Sequence, residues 1–265
     1  MAANAQRLGQ DWDVRQVSRS LARQTYRWRV RDRLLEGRSD ARVRLLFDVR
    51  GRDHLDAAVA RGKGVILLAN HFGSHVMIAH WMLRQGYSAR WFGERPRNVS
   101  TYLGRQLRSD GPLGQDGLFL SRRGEVSESA ARILHAARVL NAGMVLMLAS
   151  DVRSVDPRAA HVEFLGRVGS FATTWVNLAA ITGAAVVPAF CRLDESGIHH
   201  LEFHDPYHVP PDARRPGQGQ EWVRRALAAV EEHVLAYPEQ SNDYFFWGYQ
   251  GRSSDRLAQV TSGNH

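Results

Sequence analysis

Residues 64–75 read Gly-Val-Ile-Leu-Leu-Ala-Asn-His-Phe-Gly-Ser-His, an apolar run followed directly by a polar cluster. Its apolar run, residues 65–69, has the length of one buried strand, and glycine and polar residues bound it on either side. In open α/β sheets, ligands bind beyond the carboxyl ends of the strands, which is where His71 falls. An imidazole titrates near neutral pH, so His71 is a candidate general base; a capping or structural histidine is the alternative.

Short apolar strands alternate with longer helical patterns around this stretch. The predicted helices cover residues 75–85, 127–142, 171–182 and 220–236. The predicted strands are Val65–Ala69, Ala89–Phe92, Leu118–Leu120, Met144–Ala149 and Ala184–Phe190, with a further one over residues 197–204. Strand–helix alternation favours a mostly parallel sheet covered on both faces. The sequence therefore predicts an α/β fold, a single-domain α/β/α sandwich.

The composition restricts the chemistry and the partners. Apolar residues make up 44% of the 265 residues, enough for a substantial core. Cys191 is the single cysteine, which excludes an internal disulfide and a multi-cysteine zinc site, and we expect this thiol to be buried. The net charge of +8 leaves nucleic acid, anionic lipid and acidic proteins open as partners. Because the sequence has no nucleic-acid-binding motif, nucleic acid is not expected.

The basic charge is concentrated near the N-terminus. Residues 1–61 contain 14 arginines and 8 acidic residues, which accounts for +6 of the total. Within this region, residues 14–35 place apolar side chains on one helical face and an arginine at every fourth position on another. Such a helix either lies on an anionic membrane surface or packs its apolar face on the core. No signal peptide or membrane-spanning run is visible, so we expect a soluble or peripheral protein.

Several blocks of the sequence, taken in order, resemble one bacterial family. The first block is Leu55-Asp-Ala-Ala-Val-Ala-Arg-Gly-Lys-Gly-Val-Ile-Leu-Leu-Ala-Asn-His-Phe-Gly-Ser74. The later blocks are Glu94-Arg-Pro96, Leu118-Phe-Leu-Ser-Arg-Arg-Gly124, Ala142-Gly-Met-Val-Leu-Met-Leu-Ala-Ser-Asp151, Val162-Glu-Phe-Leu-Gly166 with Thr173-Thr174, Gly183-Ala-Ala-Val-Val-Pro-Ala-Phe190 and Tyr237-Pro-Glu-Gln240. Their order and spacing are similar to those of the lipid A lauroyl/myristoyl acyltransferases, members of the wider glycerolipid acyltransferase superfamily.

The resemblance implies a function and a location. It implies transfer of a fatty acyl group from an acyl carrier protein or coenzyme A thioester to a lipid or glycolipid acceptor. No metal or redox cofactor is expected, because the thioester is already activated. The implied location is peripheral, at an anionic membrane surface on the cytoplasmic face of the inner membrane. On this interpretation residues 1–41 form a basic helical segment, residues 42–250 the acyltransferase domain and residues 251–265 a polar tail.

The family's motif of histidine, four residues, then Asp or Glu is altered here. Its acidic position holds Val76, which can neither orient the His71 imidazole nor stabilise its charged form. Three interpretations are open: another carboxylate substitutes, the histidine works slowly without one, or the chain is a non-catalytic acyl- or lipid-binding homologue. Asp151 is the best substitute, since its strand should end at the same edge of the sheet, and Glu94 is the runner-up. A helix or turn cap is the alternative role of Asp151.

Charged residues in the later blocks are candidates for substrate binding. Arg95, Arg122 and Arg123 carry guanidinium groups, whose planar donors suit phosphoryl oxygens of the acceptor or of a phosphopantetheine arm. Glu94 joins this set if it is not the catalytic carboxylate. Solvated surface charge is the alternative for all of them.

The turn after the first predicted strand contributes two more substrate-binding candidates, Asn70 and Gly73. Gly73 predicts a sharp turn after His71, and nearby backbone N–H groups are a conjectured oxyanion site. His71 and His75 lie four apart, as paired helical metal ligands do, but no third ligand is evident and no metal site is expected.

Overall fold

The computed structural model describes residues 1–96, 99–115, 118–120 and 126–245. Within these ranges the helices are α1 (Ala2–Arg7), α2 (Val14–Leu34), α3 (Asp40–Arg44), α4 (Arg52–Ala60), α5 (Val76–Arg84), α6 (Thr101–Gln106), α7 (Val126–Asn141), α8 (Thr174–Thr182), α9 (Gln220–Ala236) and α10 (Asn242–Phe245). The strands are β1 (Phe47–Arg50), β2 (Val65–Ala69), β3 (Ala89–Trp91), β4 (Val145–Ala149), β5 (Ala160–Phe164), β6 (Arg167–Phe171), β7 (Ala185–Leu193) and β8 (His199–Phe203).

A six-stranded sheet lies at the centre, in the order β1-β8-β7-β2-β4-β3. Strands β7, β2, β4 and β3 run parallel, and so do β1 and β8, whereas β7 and β8 pair antiparallel. Strands β5 and β6 form a separate antiparallel hairpin. The prediction of an α/β fold with a mostly parallel sheet is confirmed.

Apolar side chains cover both faces of this sheet. On one face, Ile66 and Leu68 of β2 belong to a core that includes residues of α7, α8 and α9. On the other face, Val65 and Leu67 belong to a core that includes residues of α4 and α5. Successive side chains of a strand point to opposite faces, so an uninterrupted apolar run is expected for a strand buried on both. Each of these side chains contributes roughly 2 kcal/mol on burial, and the predicted sandwich of helices around the sheet is confirmed.

Some predicted elements differ from the structure. The strand predicted at Leu118–Leu120 is wrong, because the pairing there is a single bridge between Phe119 and Gly93. The helix predicted over residues 171–182 begins only at Thr174, since the preceding residues complete the β5–β6 hairpin. That hairpin and β1 were not predicted; β1 has four residues and pairs only at the edge of the sheet, with β8.

The predicted amphipathic helix near the N-terminus is α2. It begins after Asp13, whose carboxylate accepts hydrogen bonds of 3.0 Å from the backbone N–H groups of Arg15 and Gln16. Leu21 of α2 is buried in the core that also contains β2. At least part of its apolar face therefore packs on the domain. No helix in the described ranges is both long and apolar enough to cross a membrane.

A buried polar contact fixes the far end of α2. The Asp32 carboxylate binds Nε2 of His80 in α5 and accepts a hydrogen bond from the backbone N–H of Ser100, which caps α6. Burial raises the pKa of Asp32, but these contacts outweigh it and lower the pKa below the usual value. These contacts of Asp32 join α2 to α5 and to the start of α6. The division at residues 41 and 42 stays a prediction, and the tail 251–265 lies outside the described residues.

Candidate active site

The carboxyl ends of β2 and β4 bring His71 and Asp151 together. Each residue lies two positions beyond its strand, and the parallel register sets Ala69 beside Ala149. Nδ1 of His71 lies 3.0 Å from Oδ1 of Asp151, and the backbone N–H of His71 donates to Oδ2 at 2.9 Å. The expected approach of Asp151 to the His71 imidazole is confirmed; the catalytic roles of both residues stay predictions.

Asp151 is held in its ionised form inside the protein. Its side chain is 0% exposed, and Oδ2 accepts a further hydrogen bond of 2.7 Å from the hydroxyl of Tyr244. Burial raises the pKa of this carboxyl, but the charge of His71 and the hydrogen bonds from His71 and Tyr244 outweigh it and lower the pKa to about 2. Because an ionised carboxylate only accepts hydrogen bonds, Nδ1 of His71 carries the proton and Nε2 is the basic nitrogen.

The imidazole of His71 reaches the surface and has a neutral neighbour. Its side chain is 42% exposed, so a substrate can approach it. The ring of His75 lies edge-on to it, with the ring centroids 5.2 Å apart. Burial and the charge of His71 lower the pKa of His75 to about 3, against the opposite effect of Asp151. His75 is therefore uncharged near neutral pH and does not oppose proton uptake by His71.

Internal contacts fix the turn that carries His71. Oδ1 of Asn70 accepts a hydrogen bond from the backbone N–H of Phe72, and its Nδ2 donates to the carbonyl of Ala189, both at 3.1 Å. Gly73 has a φ of +54°, and a Cβ there would lie 2.4 Å from the carbonyl oxygen of Cys191. Only glycine fits this conformation and this space. The predicted sharp turn at Gly73 is confirmed.

The backbone N–H groups of residues 71–74 do not form the conjectured oxyanion site. In chain order they donate to the Asp151 carboxylate, the Asn70 side chain, and the carbonyls of Gln240 and Cys191. All four donors point into the protein, so the oxyanion conjecture is wrong for this turn. The described contacts of Asn70 and Gly73 position His71, and their predicted role in substrate binding is untested.

Val76 has become part of the core. It is the first residue of α5, and its buried side chain belongs to the apolar cluster on that face of the sheet. The carboxylate that faces His71 therefore comes from the end of β4 rather than from the first turn of the helix that follows the histidine.

The second predicted block lies at the same edge of the sheet. Glu94 and Arg95 follow β3, which is parallel and adjacent to β4, and both side chains are exposed. The guanidinium of Arg95 lies 5.8 Å from the centre of the Phe119 ring. A role of Glu94 and Arg95 in substrate binding stays a prediction. Arg122 and Arg123 lie outside the described residues.

Three arginines near Asp151 form a cluster that was not predicted. Arg7, Arg153 and Arg167 line one pocket together with Tyr244, the hydrogen-bond donor to Asp151. Burial lowers the pKa of Arg7 and of Arg153, and the charge of Arg167 lowers both further. Like charges held together create a local potential that attracts anions. Arg153 lies two residues beyond Asp151, but nothing in the sequence connects it with Arg7.

The hydrogen bond from Tyr244 to Asp151 was not predicted either. Tyr244 belongs to the run Asp243-Tyr-Phe-Phe-Trp-Gly-Tyr249, whose aromatic side chains predict packing of the C-terminal segment on the core. Tyr244 and Phe245 are indeed buried, but the use of the hydroxyl depends on a contact 93 residues distant along the chain.

Cys191 takes no part in this chemistry. The thiol is buried, as predicted, and burial raises its pKa to about 12. A thiol in this state is a poor nucleophile at neutral pH.

The fold and the site define an α/β protein with a histidine–carboxylate pair at the ends of adjacent parallel strands. The chain belongs to the bacterial lipid A biosynthesis acyltransferase family, whose model matches residues 14–247. It is also similar to the phosphatidylinositol mannoside acyltransferases of Mycobacterium tuberculosis strains ATCC 25618 / H37Rv and CDC 1551 / Oshkosh. Each is 29% identical over 147 residues, which are 56% of this chain and 44% of the relative. The match thus spans less than half the length of these curated relatives.

Proposed function

We propose that this chain transfers a fatty acyl group from an acyl carrier protein or coenzyme A thioester to a lipid or glycolipid acceptor at a membrane surface. The observation that carries the proposal is the exposed His71 imidazole, whose Nδ1 is held 3.0 Å from the buried carboxylate of Asp151. Family membership supplies the class of reaction, and the His71–Asp151 pair supplies groups that can perform it.

His71 is the general base in this mechanism. Its Nε2 takes the proton of an acceptor hydroxyl as the hydroxyl oxygen attacks the carbonyl carbon of the thioester. Asp151 stabilises the imidazolium formed at the tetrahedral intermediate. When the carbon–sulfur bond breaks, the imidazolium returns the proton to the departing thiolate, so the products are an ester and a thiol. General acid–base catalysis of this kind contributes roughly 10²- to 10⁴-fold to a rate.

The alternative, a non-catalytic lipid-binding homologue, drew its support from Val76. Asp151 can perform both roles of the motif acid that Val76 replaces. It orients the imidazole through Nδ1 and provides a negative charge beside it. A buried carboxylate is costly unless it is paired and hydrogen-bonded, and two of the three donors to Asp151 belong to His71. This pairing favours the catalytic interpretation.

We further propose that the pocket of Arg7, Arg153 and Arg167 receives a phosphoryl group. Guanidinium groups bind phosphoryl oxygens through two parallel hydrogen bonds. The names of the relatives, phosphatidylinositol mannoside acyltransferases, describe a glycosylated phospholipid, and we propose an acceptor of that chemical class here. Arg153→Ala is then expected to raise KM for the acceptor more than it lowers kcat.

The acyl-transfer proposal is tested by supplying both substrates to the purified chain. Acyl carrier protein or coenzyme A thioesters are incubated with vesicles that contain glycosylated phosphatidylinositol, and mass spectrometry measures the acylated lipid. His71→Ala is expected to lower turnover at least about a hundredfold, whereas His208→Ala, which removes an exposed histidine beyond β8, keeps it. Binding of the thioester without product, or wild-type turnover in His71→Ala, contradicts the proposal.

A further inference from the structure

A second group of potential ligands shares no residue with the His71–Asp151 pair. Glu202 is on β8, His204 follows it two residues later, and His233 is in the last turn of α9. One ligand atom from each of the three side chains lies within 4.8 Å of the other two. The proposed acyl transfer uses none of them.

The three side chains converge without closing direct hydrogen bonds. Oε2 of Glu202 lies 3.7 Å from Nε2 of His233 and 4.0 Å from Nε2 of His204. Two ligands of a tetrahedral zinc ion are separated by about 3.3 Å, given metal–ligand distances of about 2.0 Å. Movements of less than about 1 Å, within the reach of a side-chain rotation, would bring the three atoms to that spacing.

His233 is oriented as a ligand. Its Nδ1 lies 2.8 Å from the carbonyl oxygen of Ala229 and donates to it, and the other ring nitrogen, Nε2, faces Glu202. Metal-binding histidines characteristically donate their second ring N–H in this way. The ring is also stacked on Phe190, with centroids 3.7 Å apart and an interplanar angle of 3°. Its orientation is therefore set by the protein alone.

The charges around His204 suit a cation. Three carboxylates, those of Glu202, Glu232 and Asp205, lie close enough to His204 to contribute negative potential there. Their potential attracts a divalent ion.

Arg192 opposes this potential without blocking it. Its guanidinium is close enough to the Glu202 carboxylate to contribute a positive charge there. The guanidinium of Arg192 also lies over the ring of Tyr237, 4.7 Å from its centre. This cation therefore has an aromatic partner of its own.

We propose that Glu202, His204 and His233 bind a divalent transition-metal ion of the zinc type. Two imidazoles and one carboxylate form a nitrogen–oxygen ligand set of borderline softness. Such a set binds Zn²⁺ in preference to Mg²⁺ or Ca²⁺. All three side chains are partly exposed, so the ion has an entry path and retains water at the remaining position. The ion would join the sheet at β8 to α9, beside the ring of Phe72 that packs against His233.

The test uses the full chain, stripped of metal and freed of any affinity tag. Titration with ZnCl₂ in a calorimeter should show one high-affinity equivalent, and Co²⁺ should give the visible absorption of a four- or five-coordinate ion. Zn²⁺ should also raise the melting temperature. Loss of a ligand in His233→Gln or Glu202→Gln is expected to weaken binding by more than about tenfold, the lower end of the losses seen on removing outer-shell partners alone.

His200→Ala is the matched control, because this half-buried histidine of the same strand hydrogen-bonds to Asp48 and Asp194 instead of pointing into the cluster. It should bind Zn²⁺ as the wild type does. Circular dichroism of each variant separates loss of a ligand from loss of the fold. The proposal is overturned if the wild type binds no better than Glu202→Gln, or if His200→Ala weakens binding as much as His233→Gln does.

Discussion

The protonation of His71 depends on Asp151, because the carboxylate accepts the Nδ1–H and leaves Nε2 as the base. Asp151→Asn keeps the shape of the side chain but removes the charge, and its amide can hold the ring in the wrong tautomer. We expect kcat to fall roughly 10⁴-fold, as for the equivalent change in a serine–histidine–aspartate triad. Steady-state kinetics with a thioester donor checks this, and an unchanged KM separates chemistry from binding. Tyr244→Phe, which removes one of the three donors to Asp151, should cost far less; equal losses in the two variants would contradict the assignment.

Asp151 should also make the stability of the protein depend on pH. Its pKa is about 2 in the folded protein and about 3.9 in an unfolded chain. A lowered pKa stabilises the folded protein fully above the unfolded value, and this contribution is lost as the pH falls through about 4 towards 2. Urea unfolding should therefore show a difference in free energy between wild type and Asp151→Asn that shrinks by on the order of 2 kcal/mol over this interval. A difference that stays constant with pH would show that Asp151 titrates normally.

The attachment of α2 rests on the buried contact of Asp32 with His80 and Ser100. Asp32→Ala leaves a buried imidazole and a backbone N–H without this acceptor, and breaking such a pair costs about 3 kcal/mol. The expected result is a lower midpoint of urea unfolding, with kcat unchanged below the transition because His71 is not touched. Asp56→Ala is the control, since its exposed contacts with Arg52 and Tyr87 contribute about 1 kcal/mol or less. Equal losses in the two variants would mean that α2 is not held by this pair.

Sequence reasoning predicted the elements whose own residues indicate that they are buried. Strands β2, β4 and β7 are apolar runs bounded by turns, which predicts buried parallel strands. Because parallel strands end at the same edge of a sheet, the same pattern predicted that Asp151 lies near His71. The hairpin β5–β6 and the edge strand β1 were not predicted, because their few residues form strands only by pairing with a neighbouring strand. The proposed metal ligands were not predicted, because His233 lies 29 positions beyond His204 and only the packing of α9 on the sheet brings these two side chains together.

At the scale of the whole molecule, the distribution of basic and exposed apolar side chains bears on how the site would approach a lipid. The N-terminal quarter carries most of the net charge, and α2 presents exposed arginines, among them Arg15 and Arg19, although Leu21 packs on the core. Val168, which lines the arginine pocket, is an exposed apolar side chain, and so is Val155, two residues beyond Arg153 in the sequence. Together these features favour binding to an anionic bilayer through basic residues, with apolar side chains inserted beside the site.

Sedimentation with vesicles tests this orientation. Binding should require anionic lipid and weaken at high salt, because the screening length falls from about 10 Å at 0.1 M to about 3 Å at 1 M. Each arginine near such a surface contributes about 1 kcal/mol, so Arg15→Gln combined with Arg19→Gln should weaken binding roughly thirtyfold. Deleting residues 1–40 would expose core around Leu21, which makes these surface substitutions the cleaner change. If the double variant binds like the wild type while Val155→Asp does not, the valine side alone faces the membrane and α2 is structural. Equal binding to neutral vesicles, or none to either kind, would contradict an electrostatic attachment altogether.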